Sequence, residues 1–500
     1  MLSNLAKVAV LVIALVLVAI MVGGVTPTAA DAPQQRPPTV VLPTPAVTMT
    51  PPRVTPAAPA RPVRAPATPT RVSKPAAPRS IPGPSGSFSS AFTVQNASAS
   101  VATCSYTFYN SSTGASAYTS SNFDIAVGSS NFTYVPNISG LLSGQYTGVV
   151  SCNQQVSAVV NFSTSNSAAA FNGVGTPGTT FYAPNAYSNY YNYASNFVVQ
   201  NTTSSPVDVT VQIIAAGGSV AYTYPVTNIP ANGSANFDQT GLSQLATNVL
   251  YSAKISATGN VAVVANNYGL QGTSVENQLY SYNPLAAGAT TLYAPLIMNN
   301  YYGNNTALTV QNIGTSDTDV RVTYSTGLQA TQTVAPSSSA LFYTPNSGLP
   351  AGDNGIYSAK IESLGGQSII GLVNQSNPYN RAASSTTFST GSTTVRAPIV
   401  LKRYYSYNTS ITCQNIGTAA TNMTITYNNG ATSSGNNIAS NWTWLFYQPN
   451  ETGLADGFNG SATITSSGQS IVCVVNQDQN EGSLGSTIFD MLDAYEGFNQ

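Results

Sequence analysis

Short runs of alternating apolar and polar residues fill the chain from about residue 86 onward, bounded by Gly, Asn, Pro and Ser. In one stretch they cover Thr306 to Gln311, Asp319 to Tyr324, Ala340 to Tyr343, Gly355 to Ile361 and Ser368 to Val373. Period-two alternation over four to eight residues predicts half-buried β-strands. No segment sustains a helical period, and Gly and Pro recur too often for long helices.

The pattern is written four times. Ala183-Pro184, Tyr190-Tyr191 and Gln200-Asn201 keep the same spacing as Ala294-Pro295, Tyr301-Tyr302 and Gln311-Asn312, and as Ala397-Pro398, Tyr404-Tyr405 and Gln414-Asn415. Gln95-Asn96 marks an earlier copy that lacks the Ala-Pro and Tyr-Tyr parts. The Gln-Asn marks lie roughly 100–110 residues apart, the length of one small β domain. The expected fold is all-β: four tandem immunoglobulin-like β-sandwich modules at 86–172, 178–285, 289–389 and 392–500. Proline cannot donate to a central ladder, so the Ala-Pro strand belongs at a sheet edge or strand end. A Ser/Thr-Gly-Leu turn recurs at Gly140, Gly241, Gly348 and Gly453, and an Asn is read as closing a buried strand at Asn161, Asn266, Asn374 and Asn476. Recurrence within one chain marks these, with Gln-Asn, as scaffold.

Ahead of the modules, Lys7 precedes an apolar run from Val8 to Val25, followed by Thr28-Ala29-Ala30. Residues 1–30 read as an export signal, either a cleaved signal peptide or a retained membrane anchor. Residues 31–85 are a Pro/Ala/Thr/Arg-rich disordered linker that favours extended polyproline II. It carries Arg36, Arg53, Arg61, Arg64, Arg71, Lys74 and Arg79 against the single acid Asp31, which leaves the modules acidic. Charged residues make up only 6% of the chain, and no basic surface exists to neutralise phosphates, so a nucleic-acid partner is excluded. The expected place is the cell surface or beyond it, secreted or anchored through the N-terminal segment.

Four cysteines fall as one pair in the first copy and one in the last, and their parity points all four into a core. In an exported chain this predicts Cys104–Cys152 and Cys413–Cys473 disulfides. With His 0, the sequence excludes His-based triads and His-ligated zinc, and the cysteine spacing forms no metal site. The acids Asp317 and Asp319, Asp353 beside Asn354, and Asp456 before Gly457 read as turns rather than calcium loops. Lys254 and Lys360, in Tyr-Ser-Ala-Lys-Ile, read as outward and solvated. No cofactor, metal or catalytic residue is expected.

Aromatic residues are the ligand-contact candidates: Tyr190, Tyr191, Tyr301, Tyr302, Tyr404, Tyr405, Trp442 and Trp444. Flat rings amid Asn and Ser stack on sugars or pack a partner surface; the competing expectation is that they pack at module junctions and stiffen a rod. Tyr293-Ala294-Pro295-Leu296, Asn300-Tyr301-Tyr302-Gly303, Leu308 through Gly314 and Leu372-Val373-Asn374-Gln375 together resemble tandem-repeat surface proteins of bacteria, over residues 86–500. The resemblance implies a non-enzymatic extracellular protein for envelope structure or adhesion, whose partners are envelope polymer, glycan or a neighbouring surface protein. The alternative is a carbohydrate-binding surface protein that uses its Tyr-rich inter-module loops.

Overall fold

The computed structural model describes residues 9–13, 87–352, 355–377, 381–479 and 490–500. Its secondary structure is all-β, with antiparallel strand ladders and three single-turn 3-10 segments at Val135–Asn137, Thr344–Asn346 and Gln448–Asn450. Each 3-10 turn has Pro at its start, where the missing N–H costs nothing.

The third copy shows the plan. One ladder runs in the order Gln329–Val334, Thr318–Tyr324, Ile356–Ser363, Thr291–Tyr301. The other runs Ser339–Tyr343, Asn304–Asn312, Ile369–Asn377, Arg381–Thr386. Leu292, Val310, Val322, Ile361 and Val373 alternate inward from both ladders to make the core between them. The Ala-Pro strand, Thr291–Tyr301, is not an edge strand: it pairs with Ile356–Ser363, bridges Phe388 through Tyr293 and joins Asn304–Asn312 at its far end, but its register shifts between Ala294 and Ile297, around Pro295. That is where a residue without an N–H is tolerated.

The same two orders recur around Gly178–Ala186 with Tyr193–Asn201, and around Thr394–Lys402 with Tyr407–Asn415. In the second copy one 19-residue strand, Tyr251–Gly269, serves both ladders. The first copy keeps the plan with a substitution. Its Ala-Pro strand is missing from the sequence, and Ala9–Ile13 takes that place antiparallel to Tyr146–Cys152. Leu11 stands opposite Val150, the register that Phe181, Leu292 and Val395 hold opposite Ile255, Ile361 and Ile464. The other residues of the expected export signal and the linker lie outside the described residues.

The copies do not extend as a rod. The last strand of each copy packs on that of its neighbours in a closed cycle. Ala168–Asn172 touches Leu279–Tyr282, which touches Arg381–Thr386, which touches Leu492–Glu496, which returns to Ala168–Asn172. Small buried residues at this centre, Ala169, Ala170, Ala382, Ala383 and Ala494, let four strands approach. The apolar cores are joined as well: Val264 enters the core of the first copy, Leu372 that of the second, and Val159 with Ala170 that of the fourth.

Candidate functional site

Four seams close the ring, and one hydroxyl-to-carbonyl hydrogen bond crosses each. The Thr147 hydroxyl donates to the Asn232 carbonyl at 2.5 Å, Ser252 to Ser337 at 2.6 Å, Ser358 to Asn441 at 2.5 Å, and Ser461 to Gly128 at 2.8 Å. All four accepting residues have positive φ, which Gly and Asn adopt most readily. The Gln of Gln-Asn crosses the same seam in the opposite sense. Gln311 donates to Ala253, Gln414 to Ala359, and Gln95 to Ala462. Gln200 is the exception; its buried amide finds no partner among the described residues. The Asn is a scaffold residue in every copy. Its amide donates to two carbonyls: Ser100 and Ile125 from Asn96, Ser205 and Ile229 from Asn201, Ser316 and Val334 from Asn312, and Ala419 and Ile438 from Asn415.

The second recurrent Asn set departs from expectation. Asn161, Asn266, Asn374 and Asn476 sit within strands that continue past them, so they close nothing. Two of them bond across seams instead: Asn161 to the Asp493 carboxylate and Asn476 to Gln375. The Ser/Thr-Gly-Leu turn has positive φ at Gly140, Gly241 and Gly348 but not at Gly453.

Cys104 pairs with Cys152 and Cys413 with Cys473, each between directly opposed residues of neighbouring strands. All four are buried, as their parity requires. The two bridges lie in different ladders of their copies. Lys360 pairs with Glu362, and Lys254 lies over the Tyr182 ring. Asp319 accepts from Thr333, Asp456 pairs with Arg403, and Asp353 and Asn354 lie outside the described residues.

The Tyr-Tyr pairs form the tips that join the Ala-Pro strand to the Gln-Asn strand. In each, the second ring meets the first edge-on, at 4.9, 4.8 and 4.8 Å between centroids. Tyr190, Tyr301 and Tyr404 are half-buried, whereas Tyr191, Tyr302 and Tyr405 are 64%, 65% and 78% exposed. The exposed members have positive φ, an uncommon conformation for a bulky residue. The three exposed rings occupy the same hairpin position in their copies. Trp442 and Trp444 are also exposed. Only Trp444 lies within Thr443–Tyr447; Trp442 belongs to the preceding turn. The Trp444 ring covers Gly435, where a Cβ would stand 2.5 Å from it.

The acids of the last strand escaped the sequence reading. The Asp490 carboxylate accepts the backbone N–H groups of Leu279 and Ala382, and the Asp490 N–H donates to Asn166, so one residue bonds all three other copies. Burial pushes its carboxyl well above the usual range. Burial likewise raises Asp493, to about 7, although Asn161 and Gln477 donate to it. Glu496 is raised by burial too and accepts the Thr386 N–H and hydroxyl. Three acids at 490, 493 and 496 in a chain with so few charges were the available signal.

A cleft of about 730 Å³ opens at the seam between the third and fourth copies. Tyr301, Tyr302 and Tyr447 supply its aromatic wall, and Asn304, Gln375 and Asn408 line it with amides. Of the sequence candidates, only Tyr301 and Tyr302 line this cleft; Tyr190, Tyr191, Tyr404, Tyr405 and both Trp residues do not. Among the described residues no His/Cys/Asp/Glu group is placed to hold a metal, and no helix is long and apolar enough to cross a membrane. No protein-family profile matches the chain, and no curated protein matches it.

Proposed function

We propose that this chain is a non-enzymatic extracellular surface protein that presents four immunoglobulin-like β-sandwich modules, closed into a ring, for cell-envelope structure or adhesion. The observation that carries the reading is the seam. Recurrent polar residues that a catalyst would place around a reacting group are spent instead on joining copy to copy. The two disulfides fit an oxidising compartment outside the cytoplasm. The absence of histidine from the sequence narrows the available acid–base chemistry. The exposed Tyr191, Tyr302 and Tyr405 offer contact surface to a neighbouring envelope component.

The test is cell fractionation with protease shaving of intact cells and mass spectrometry of the N-terminus. The expected result is release of a protease-resistant fragment beginning between residues 31 and 87. Full protection of the chain inside intact cells, together with a cytoplasmic fraction, would sink the proposal.

A further inference from the structure

The four seams are built alike, yet a cleft opens at the one between the third and fourth copies. The difference traces to one residue at the head of each Gln-Asn strand. Tyr193, Asn304 and Tyr407 are the first residues of Tyr193–Asn201, Asn304–Asn312 and Tyr407–Asn415, and Phe88 immediately precedes Ser89–Asn96. Three positions are aromatic and the third copy alone has Asn.

The aromatic residues fill space. Tyr193 meets Tyr280 edge-on at 5.7 Å and bonds Gln278, and it lies close enough to Tyr343 of the next copy for that ring to raise its pKa. Tyr407 reaches the Met491 sulfur, and Phe88 packs on Phe162 and the buried group around Ala169 and Leu279. At the open seam the partner of Tyr343 is Tyr447, by its place in Thr443–Tyr447, and it lines the cleft with Asn304. Where a phenol ring fills one seam, a short amide leaves the other vacant. The Asn304 side chain lies back on Asn377, whose amide donates to it at 3.1 Å.

The wall chemistry selects the ligand. Among the described residues its charged side chains, Arg381 and Asp478, pair with each other at 2.5 Å and leave no net charge. The rest of that lining is amide, hydroxyl and tyrosine over an apolar floor that includes Leu296, Met298 and Leu445. Amides both donate and accept, as sugar hydroxyls do, and the rings offer faces for the apolar side of a pyranose. A volume of about 730 Å³ falls within the range of small-molecule sites. We propose that this cleft is a binding site for a neutral oligosaccharide, with Tyr302 and Tyr447 as stacking surfaces and Asn304 as the residue that keeps it open. The proposal rests on the adhesion reading only in supplying that reading with a ligand class.

The test uses the full chain and three neutral trisaccharides (cellotriose, maltotriose, mannotriose), with anionic sialyllactose as the contrast, read by ligand-detected NMR and calorimetry. At least one neutral trisaccharide is expected to bind, one per chain. Asn304→Tyr, which installs the residue native to the second and fourth copies, is expected to weaken binding at least tenfold without lowering Tm. Should that variant fold poorly, Tyr302→Ala at an exposed position carries the test and is expected to show the same loss, whereas Tyr191→Ala leaves binding unchanged. No binding by any neutral trisaccharide, preference for sialyllactose, or full affinity in a folded Asn304→Tyr chain or in Tyr302→Ala would overturn the proposal. None of these results touches cell-surface placement, which shaving decides independently.

Discussion

The first and third copies build the same ladder from different supplies. In the third, the strand Thr291–Tyr301 is joined by a tight hairpin to its own neighbour Asn304–Asn312. In the first, Ala9–Ile13 occupies the matching register but is separated from Ser89–Asn96 by the whole Pro-rich segment. Closing a longer loop adds entropy cost only slowly, so a remote strand can fill such a place. Joined by no tight hairpin, it is expected to open while the strands around it stay paired. The pairing register is thus a property of the receiving strand, Tyr146–Cys152 or Ile356–Ser363, more than of the strand that fills it.

Two changes would break this comparison if they behaved alike. Leu292→Ala removes a buried side chain from the third copy and is expected to cost about 2–5 kcal/mol in denaturant unfolding. Removing residues 1–30, and Ala9–Ile13 with them, is expected to cost under about 1 kcal/mol, because local opening bypasses a strand with no hairpin. Hydrogen exchange should agree, with faster exchange of Tyr146–Cys152 amides that face Ala9–Ile13 than of Ile356–Ser363 amides that face Thr291–Tyr301. Equal costs and equal protection would make the remote strand as integral as the hairpin.

Acidity sharpens the comparison where the first copy meets the fourth. Asp493, bonded by Asn161, holds its proton to about 7 in the folded chain, against 3.8 for a free side chain. The folded state therefore binds more protons between those values, and this group's stabilisation is complete below about pH 4 and lost as pH rises through about 7. Thermal melts should show Tm falling across that interval by an amount equivalent to at most about 4 kcal/mol, and Asp493→Asn should flatten the slope. A slope unchanged by that substitution would remove Asp493 from the account. A small effect belongs to the seam hydroxyls. Ser358→Ala and Thr147→Val should each cost about 1 kcal/mol by chemical denaturation, the worth of one hydrogen bond. A several-fold larger loss for one of them would show unequal seams.

Much of the ladder plan was legible because β alternation and turn chemistry are local. Cysteine parity identified both pairs, whereas Pro295 marked a register shift inside a paired strand and not a sheet edge. The ring was not legible. Ser252 and Ser358, in Tyr-Ser-Ala-Lys, read as ordinary strand residues, because nothing local distinguishes a hydroxyl facing water from one facing another copy's turn. The same limit misplaced Asn161 and Asn476, taken for strand ends when they reach across seams. Asn304 looked like one more Asn in an Asn-rich chain. Its meaning came only from alignment with Tyr193 and Tyr407 at the same place in the fold.

Asp490 and the strand after it bring the final residues of this sequence into bonds with every earlier copy. A chain delivered from its N-terminal side can form the first two seams early, through Thr147 with Asn232 and Ser252 with Ser337. The contacts that tie all four copies together at the centre wait for Asp490 and Leu492–Glu496, so closure is timed by the arrival of one buried carboxylate.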